Sequence, residues 1–225
     1  MARPLAVVCL SGGMDSCVTA AIAHETHEPA LLHVNYGQRT ERRELESFRR
    51  VADFYKVERR LVVELKHLQA IGGSALTDPS VPVPAGRIGR EGVPATYVPF
   101  RNATILSAAV SWAEVIGATA VFIGAVEEDG SGYPDCRESF YRAFEQAVKE
   151  GTRPETRIEI VTPVIHLRKS EIVKRGVELG APLGLTWSCY QDESVACGAC
   201  DSCLLRMRAF AEAGVPDPIP YRKKD

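Results

Sequence analysis

The sequence predicts an α/β protein built on a doubly wound parallel sheet, and two observations carry that prediction. Short apolar runs alternate about five times with helical stretches, as in successive strand–helix–strand units. The first run, Leu5–Leu10, is continuously apolar, which is typical of a parallel strand buried on both faces. In such sheets ligands bind outside the carboxyl ends of the strands. We therefore expect a functional site to begin where this first strand ends.

The other predicted elements follow this strand in order. The predicted strands are Leu5–Leu10, Ala30–Tyr36, Arg59–Leu65, 120–126 and 157–164. The predicted helices are 15–25, Glu41–Tyr55, 101–117, Glu138–Lys149 and 169–180, with a further helix after Cys203. The helix at Glu41–Tyr55 carries one apolar stripe, formed by Leu45, Phe48, Val51, Ala52 and Tyr55.

The segment Gly72–Pro99 interrupts this alternation. It contains five prolines and five glycines and has no clean period. A loop of this length inside a compact domain is usually a lid or a binding loop. We expect it to close over a site and exclude water. A second polar loop is predicted over residues 128–137.

Composition and charge exclude several classes of function. The 225 residues carry a formal net charge of -2, which gives no general attraction to nucleic acid or to anionic lipid. No apolar stretch is long enough to span a membrane. The apolar run near the N-terminus passes directly into Ser-Gly-Gly without a cleavage pattern, so we interpret it as a strand and not as a signal peptide. We expect a cytoplasmic protein with no nucleic-acid or membrane partner.

The stretch Ser11–Ser16, "SGGMDS", has the composition of an anion cradle. Gly12 and Gly13 allow unusual dihedrals and a close approach of backbone N–H groups to a ligand. The helix that follows offers free N–H groups and the positive end of its dipole. The spacing matches neither the Walker loop nor the dinucleotide fingerprint. The alternative interpretation is a tight turn in which Asp15 caps the helix.

Four of the seven cysteines lie close together near the C-terminus, in the spacing C-x7-C-x2-C-x2-C. These residues are Cys189, Cys197, Cys200 and Cys203. Four thiolates at this spacing in a reducing compartment favour a structural zinc ion, with an iron–sulfur cluster or a redox pair as alternatives. We expect two parts, a nucleotide-binding domain over 1–185 and a zinc-binding segment over 186–225 packed on it. His33 and His166 are interpreted as core histidines.

Ser-Gly-Gly-x-Asp-Ser resembles the signature of the PP-loop ATP pyrophosphatases, which cleave ATP between its α and β phosphates. That resemblance implies the Rossmann-like fold of the adenine nucleotide α-hydrolase type. It also makes Lys169 a candidate phosphate ligand, with a solvated surface lysine as the alternative. More specifically, "NYGQR", "SALTD", "YVPFRN", "SGYPDCR" and "CGACDSCLLR" resemble the 7-cyano-7-deazaguanine synthase family through essentially the whole chain. Thr40 and Phe100 depart from the family pattern.

The resemblance implies that 7-carboxy-7-deazaguanine and ammonia are converted to the nitrile by an ATP-dependent carbon–nitrogen ligase of queuosine biosynthesis. Two oxygens must leave, and each is a poor leaving group. The family solves this by adenylating twice, first the carboxylate and then the amide, with release of AMP and pyrophosphate. It also implies Mg²⁺ with ATP, a homodimer and, since nothing resembles a glutaminase, free ammonia as the nitrogen source.

The resemblance and the cradle together give the candidate site residues. The catalytic candidates are Asp15, Ser16, Lys169 and Arg101. The nucleotide-binding candidates are Leu10, Ser11, Gly12, Gly13, Met14, Asp15, Ser16, Val34, Tyr36 and Asn102. The substrate-binding candidates are Tyr133, Asp135, Arg137 and Glu138, on the reasoning that carboxylates accept the N–H donors of the ring. The alternatives are a capped helix with a surface arginine at 101–102 and a polar turn at 133–138.

Two rival functions remain open from sequence. One is a PP-loop tRNA sulfurtransferase that uses its cysteines as sulfur carriers, which would need a basic surface for tRNA. The other is a zinc-stabilised, nucleotide-binding regulator without turnover. Release of AMP that depends on the deazapurine acid would exclude the regulator.

Overall fold

Five parallel strands form one sheet in the computed structural model, which describes residues 2–84, 92–127 and 132–222. In chain order they are β1 (Leu5–Cys9), β2 (Glu28–Asn35), β3 (Arg60–Glu64), β4 (Ala120–Ile123) and β5 (Glu159–Val161). Their order across the sheet is β3-β2-β1-β4-β5, and every pairing is parallel. The five predicted strands are confirmed with ends shifted by a few residues.

Seven α-helices accompany the sheet within the described residues. They are α1 (Met14–Thr26), α2 (Glu41–Phe54), α3 (Lys66–Ile71), α4 (Arg101–Ile116), α5 (Glu138–Gly151), α6 (Lys169–Glu178) and α7 (Asp201–Ala213). Two single 3₁₀ turns lie at Pro134–Cys136 and Leu183–Leu185. The sequence pattern does not predict α3, a six-residue helix with one buried residue, Leu68.

Strand β1 lies at the centre of the sheet and defines where a ligand can enter. Val7 pairs with Ala30 of β2 on one side and with Val121 of β4 on the other. The chain runs outward from β1 to β3 and then crosses back to β4, so the direction of winding reverses between β1 and β4. This reversal opens a crevice at the carboxyl ends of those two strands.

Alternate residues of β1 enter two different apolar layers. Val7 joins a cluster with Leu106 and Ala109 of α4, whereas Val8 joins a cluster with Phe48 and Val51 of α2. Burial on both faces explains why the strand is continuously apolar. The predicted stripe of α2 is confirmed, because Phe48, Val51 and Ala52 are buried and Leu45 and Tyr55 pack against the same cluster.

The C-terminal residues share a core with the first helix. Ala209 and Phe210 of α7 pack in one cluster with Met14 and Val18 of α1. A separate small cluster surrounds Trp187 and three of the four clustered cysteines. The division of the chain at residue 185 stays a prediction. Among the described residues, no helix combines the length and apolar character needed to cross a lipid bilayer.

The predicted lid, Gly72–Pro99, is described except for residues 85–91. Arg39 holds its first part: Nε donates to the carbonyl of Ala75 at 2.7 Å, and Nη2 donates to that of Val81 at 2.6 Å. Its second part contributes Gly92, Pro94 and Thr96 to the wall of the main cavity. Of the predicted loop over 128–137, residues 128–131 lie outside the described residues.

Candidate active site

The loop between β1 and α1 is shaped by the backbone of Gly12. Its φ is +92°, in the region that glycine favours, and a Cβ there would lie 2.5 Å from the carbonyl oxygen of Glu44. The carbonyl of Gly12 accepts a hydrogen bond from the backbone N–H of Trp187 at 2.9 Å. The loop is therefore held from one side by α2 and from the other by the segment that leads to the cysteines.

The two serines of this loop point toward each other. Ser11 Oγ and Ser16 Oγ are 3.0 Å apart, and Ser16 Oγ donates to the carbonyl of Gly13 at 2.9 Å. The N–H of Gly13 donates to Ser11 Oγ at 3.2 Å. A hydroxyl pair beside a helix N-terminus is suited to phosphate oxygens. Gly124, just after β4, completes the cradle, since a Cβ there would lie 2.9 Å from Ser16 N.

Asp15 and Lys169 meet across the crevice. Nζ of Lys169, the first residue of α6, donates to Oδ2 of Asp15 at 2.5 Å. The other carboxylate oxygen, Oδ1, is buried and has no hydrogen-bond partner in the structure. An unsatisfied buried carboxylate oxygen beside a phosphate cradle fits a divalent cation such as Mg²⁺, which prefers carboxylates and phosphates as ligands.

Arg101 lies at the start of α4, behind the β2 end of the cavity. Its Nη1 donates to the hydroxyl of Tyr36 at 3.1 Å, and its guanidinium stacks 5.4 Å from the centre of that ring. Burial opposes the charge of Arg101, but nearby Tyr36 and Tyr133 outweigh burial and raise its pKa. Its Nε is buried without a partner. The helix start therefore presents a fixed positive charge to the cavity.

Asp135 supports this helix start. Its Oδ2 accepts a hydrogen bond from the backbone N–H of Asn102 at 2.9 Å, and its carbonyl accepts from Asn102 Nδ2 at 2.9 Å. The residue is 3% exposed and does not line the cavity. Arg137 is exposed, and Glu138 pairs with Arg142 and lies 3.6 Å from His166. Of the four predicted substrate-binding residues, the structure brings only Tyr133 to the cavity wall.

The elements described so far line a cavity of about 340 Å³ at the carboxyl ends of β1 and β4. The predicted site residues that line it are Leu10, Ser11, Gly13, Met14, Asp15, Ser16, Val34, Tyr36, Arg101, Asn102, Tyr133 and Lys169. The wall also includes residues from the cysteine-rich segment: Trp187, Ser188, Tyr190, Asp201 and Ser202. Thr96 Oγ1 and the Tyr133 hydroxyl, 2.8 Å apart, join the long loop to this wall.

Glu44 is a cavity residue that the sequence prediction misses. It projects from α2, and its carboxylate accepts hydrogen bonds from Thr40 Oγ1 at 2.8 Å and Gln38 Nε2 at 3.2 Å. Burial raises the pKa of Glu44 to about 7, although these two hydrogen bonds lower it in part. The sequence contains one indication of this role. Glu44 lies one turn before Phe48 on the same face of α2, so a carboxylate interrupts the apolar stripe there.

The four clustered cysteines converge as predicted. Their sulfur atoms all lie within 4.8 Å of one another. Tetrahedral zinc with Zn–S bonds of about 2.3 Å places its sulfurs roughly 3.8 Å apart, so the cluster could hold such an ion with little movement. The backbone N–H groups of Gln191 and Cys197 donate to Cys189 Sγ at 3.4 Å, and those of Ala199 and Cys200 donate to Cys197 Sγ at 3.4 Å. Such donors stabilise thiolates.

Cys9, Cys17 and His33 are buried, whereas His166 is largely exposed to solvent. His33 is fully buried and bonded to the carbonyl of Leu10 at 3.1 Å and to Asn35 at 3.0 Å, which confirms the interpretation as a core histidine. That interpretation is wrong for His166, whose side chain is 61% exposed. Burial raises the pKa of Cys9 and of Cys17 to about 12, so neither is a reactive thiol at neutral pH.

Comparison with known proteins gives similarity along nearly the whole chain. A 7-cyano-7-deazaguanine synthase of Chloroherpeton thalassium is 60% identical over 218 residues, which cover 96% of this chain and 96% of that protein. One of Chlorobium chlorochromatii is 58% identical over 220 residues, covering 97% of this chain and 96% of that protein. The profile of the family described as "Queuosine biosynthesis protein QueC" matches residues 5–214. The chain therefore belongs to the QueC family of queuosine biosynthesis proteins.

Proposed function

We propose that this chain is an ATP-dependent carbon–nitrogen ligase that converts 7-carboxy-7-deazaguanine and ammonia to 7-cyano-7-deazaguanine. The observation that carries the proposal is the Ser11–Ser16 cradle, which opens at the sheet's switch point into one cavity with Arg101 and Lys169. A phosphate cradle and two cations on one shared cavity suit a reaction in which pyrophosphate leaves beside the group that becomes adenylated. The high identity to named synthases supports the choice of substrate.

In this proposal the residues around α1 bind the phosphates of ATP. Ser11, Gly12, Gly13 and Ser16 hold the β and γ phosphates, and Lys169 neutralises charge that builds on the leaving pyrophosphate. Asp15 Oδ1 would hold Mg²⁺, which supplies further neutralisation of phosphate charge when bound. Residues Val34 and Tyr36 at the end of β2 border the pocket for adenine. The carboxylate, and later the amide oxygen, attacks the α phosphate in line with this exit.

The residues around α4 bind the deazapurine substrate. Arg101 binds the carboxylate or the acyl adenylate, and Asn102 fixes the start of its helix through Asp135. Tyr133 stacks on the deazaguanine ring. Asp135 acts through Asn102, while Arg137 and Glu138 would reach the ring only from outside the cavity wall. Thr96 joins the long loop to the cavity wall through its hydrogen bond with the Tyr133 hydroxyl. The loop thereby helps to exclude water, which would hydrolyse an adenylate.

The four-cysteine cluster serves as a structural zinc site in this proposal. All four ligand positions are sulfurs of the chain, so no position is open for catalysis. Its role is to fold a segment with little core of its own, one that supplies Trp187 and Tyr190 to the cavity. We also propose the homodimer and the free ammonia that the family resemblance implies.

Mass analysis of one incubation tests the proposal. The purified protein is mixed with ATP, Mg²⁺, ammonium and 7-carboxy-7-deazaguanine, and both nucleotides and deazapurines are followed. The expected products are AMP, pyrophosphate, the amide and then the nitrile. ADP in place of AMP, or AMP release that ignores the deazapurine acid, would overturn it.

A further inference from the structure

The wall of the cavity holds a carboxylate that none of these roles uses. Glu44 projects from α2 into the cavity that also holds Asp15 and Arg101. Its own carbonyl oxygen lies against Gly12, close enough that a Cβ on that glycine would be 2.5 Å away. Glu44 therefore lies beside the phosphate cradle, on the same cavity in which an adenylate would form.

Each oxygen of this carboxylate has one donor and one lone pair to spare. Thr40 Oγ1 donates to Oε1 at 2.8 Å, and Gln38 Nε2 donates to Oε2 at 3.2 Å. An ionised carboxylate accepts at about four positions. Glu44 is thus fixed in place by two hydrogen bonds and still able to accept an N–H from a ligand.

Thr40 gives Glu44 a way to gain a proton without movement of heavy atoms. The Thr40 hydroxyl lies 2.8 Å from Glu44 Oε1 and 3.2 Å from the carbonyl oxygen of Cys189. A hydroxyl donates only one hydrogen. While Glu44 is ionised, Thr40 donates to it; when Glu44 is protonated, Thr40 turns its hydrogen to Cys189 and accepts from the acid.

The surrounding charges leave Glu44 able to titrate near neutral pH. Arg101 lowers its pKa and Glu41 raises it, while Thr40 and Gln38 lower it by hydrogen bonding. Burial outweighs these and raises the pKa to about 7. Tyr36, which also interacts with Glu44, has its pKa raised to about 12 by burial and stays neutral. A base works best when its pKa is close to the working pH.

We propose that Glu44 binds the nitrogen donor as ammonium and accepts the proton that the nitrogen loses when it attacks the acyl adenylate. The inference rests on the proposed function, because it assigns a residue to that reaction's second substrate. The competing role for a carboxylate here is to accept N–H groups of the deazaguanine ring. A ring-binding carboxylate needs to stay ionised, whereas the Thr40 switch suits one that changes its protonation state.

The step balances in atoms and charge. Ammonium gives one proton to Glu44, and the nitrogen lone pair forms the C–N bond at the adenylate carbonyl. Glu44 then releases that proton to solvent and, ionised again, accepts a second proton from the tetrahedral nitrogen, as the C–O bond breaks and AMP leaves with its electron pair. In the second round, the amide oxygen attacks the α phosphate of ATP and pyrophosphate leaves. The nitrogen then loses both remaining protons to solvent as the nitrile forms, while the C–O bond breaks and AMP leaves with its electron pair.

The variant Glu44→Gln tests this, with Glu46→Gln as the matched control. Glu46 lies on the same helix, outside the cavity, and pairs with Arg43 on the surface. Pyrophosphate release from ATP and the acid, measured without ammonium, should stay close to wild type in both variants. Amide formation from ammonium should fall roughly 10²–10⁴-fold in Glu44→Gln alone. Hydroxylamine, a neutral nucleophile at neutral pH, should still trap the adenylate.

The pH profile gives a second readout that needs no variant. Wild-type amide formation should fall below about pH 7, while pyrophosphate release without ammonium should lack that limb. The proposal is overturned if the limb is absent, or if Glu44→Gln raises the KM for the acid and leaves the ammonium dependence unchanged. Wild-type protein that releases no pyrophosphate with the acid would instead refute the proposed function.

Discussion

Lys169 and Asp15 lie 154 positions apart in sequence, and their side chains meet with Nζ 2.5 Å from Oδ2. The pair joins the start of α6 to the start of α1, so two helix N-termini face the same crevice. Two positive helix ends and a lysine therefore stabilise negative charge at the place where pyrophosphate would leave. The pairing also leaves Asp15 Oδ1 free for a cation.

The variant Lys169→Met should therefore slow pyrophosphate release. We expect the rate with saturating ATP and acid to fall roughly 10²–10³-fold, because a charge that develops in the transition state loses its partner. Lys174→Met, on the exposed side of the same helix, should leave the rate unchanged. Equal rates for the two variants would show that Lys169 is only a surface lysine.

Gly12 and Gly13 should differ sharply on substitution by alanine. At Gly12 the φ of +92° and the close carbonyl of Glu44 both oppose a Cβ, and we expect Gly12→Ala to cost about 1–3 kcal/mol. Gly13 has a φ of -81° and a nearest contact of 3.3 Å, with the flexible Ser11 Oγ. Urea unfolding of both variants checks this; equal losses would contradict the geometry of the loop.

The cysteine cluster should carry zinc, and its loss should disturb the phosphate loop. Elemental analysis should find zinc and not iron, and Cys200→Ser should remove it. Because the N–H of Trp187 holds the carbonyl of Gly12, this variant should also weaken ATP binding. Cys17→Ala, a buried cysteine outside the cluster, should retain the metal. Bound iron with visible absorption would overturn the zinc assignment.

The buried pair Arg206–Asp217 should be a large contributor to the stability of the C-terminal segment. Arg206 is 2% exposed; its Nε donates to Asp217 Oδ2 at 2.9 Å and its Nη1 donates to Thr186 at 2.7 Å. Arg206→Ala removes the ionic partner of Asp217, whose side chain is only 10% exposed and keeps a hydrogen bond from the Tyr221 hydroxyl. We expect a loss of about 3–5 kcal/mol in the free energy of unfolding. The double variant Arg206→Met, Asp217→Leu should recover part of that loss. A single-variant cost near zero would contradict the pairing.

Glu44→Gln should change how stability depends on pH. Burial raises the pKa of Glu44 from 4.5 to about 7, so the folded state binds this proton more tightly than the unfolded state. Between those two pKa values the wild-type free energy of unfolding should then fall as pH rises, with a slope of at most about 1.4 kcal/mol per pH unit. The variant lacks this loss, and its stability relative to wild type should increase from about pH 5 to about pH 8. Urea titrations at both pH values measure the difference, with Glu46→Gln as the control.

Local periodicity was enough to predict most of the fold. Short apolar runs indicated the five strands, most clearly the continuous run of β1, where burial on both faces selects the residue type. The apolar stripe of α2 indicated its buried face. The helix α3 has six residues and one buried side chain, too few for a period to show. The cysteine cluster was equally accessible from sequence, since its four ligands lie within one short segment.

Contacts between segments that are distant in sequence could not be predicted from local sequence patterns. Gly124 matters because a Cβ there would strike Asp15 and Ser16, a fact of how β4 lies against α1 and not of its own neighbours. The role of Asp135 depends on where α4 begins. Glu44 interrupts an apolar stripe by one residue, and only the fold shows that this side chain faces a cavity.

The hydrogen bond from Trp187 to Gly12, together with the Lys169–Asp15 contact, has a consequence for the newly made protein. A ribosome produces the glycine turn well before the groups that hold it, because Lys169 follows Asp15 by 154 positions and Trp187 comes later still. Nascent chains should thus acquire nucleotide affinity late and abruptly. Stalled chains of increasing length, probed with a fluorescent ATP analogue, should reveal that threshold.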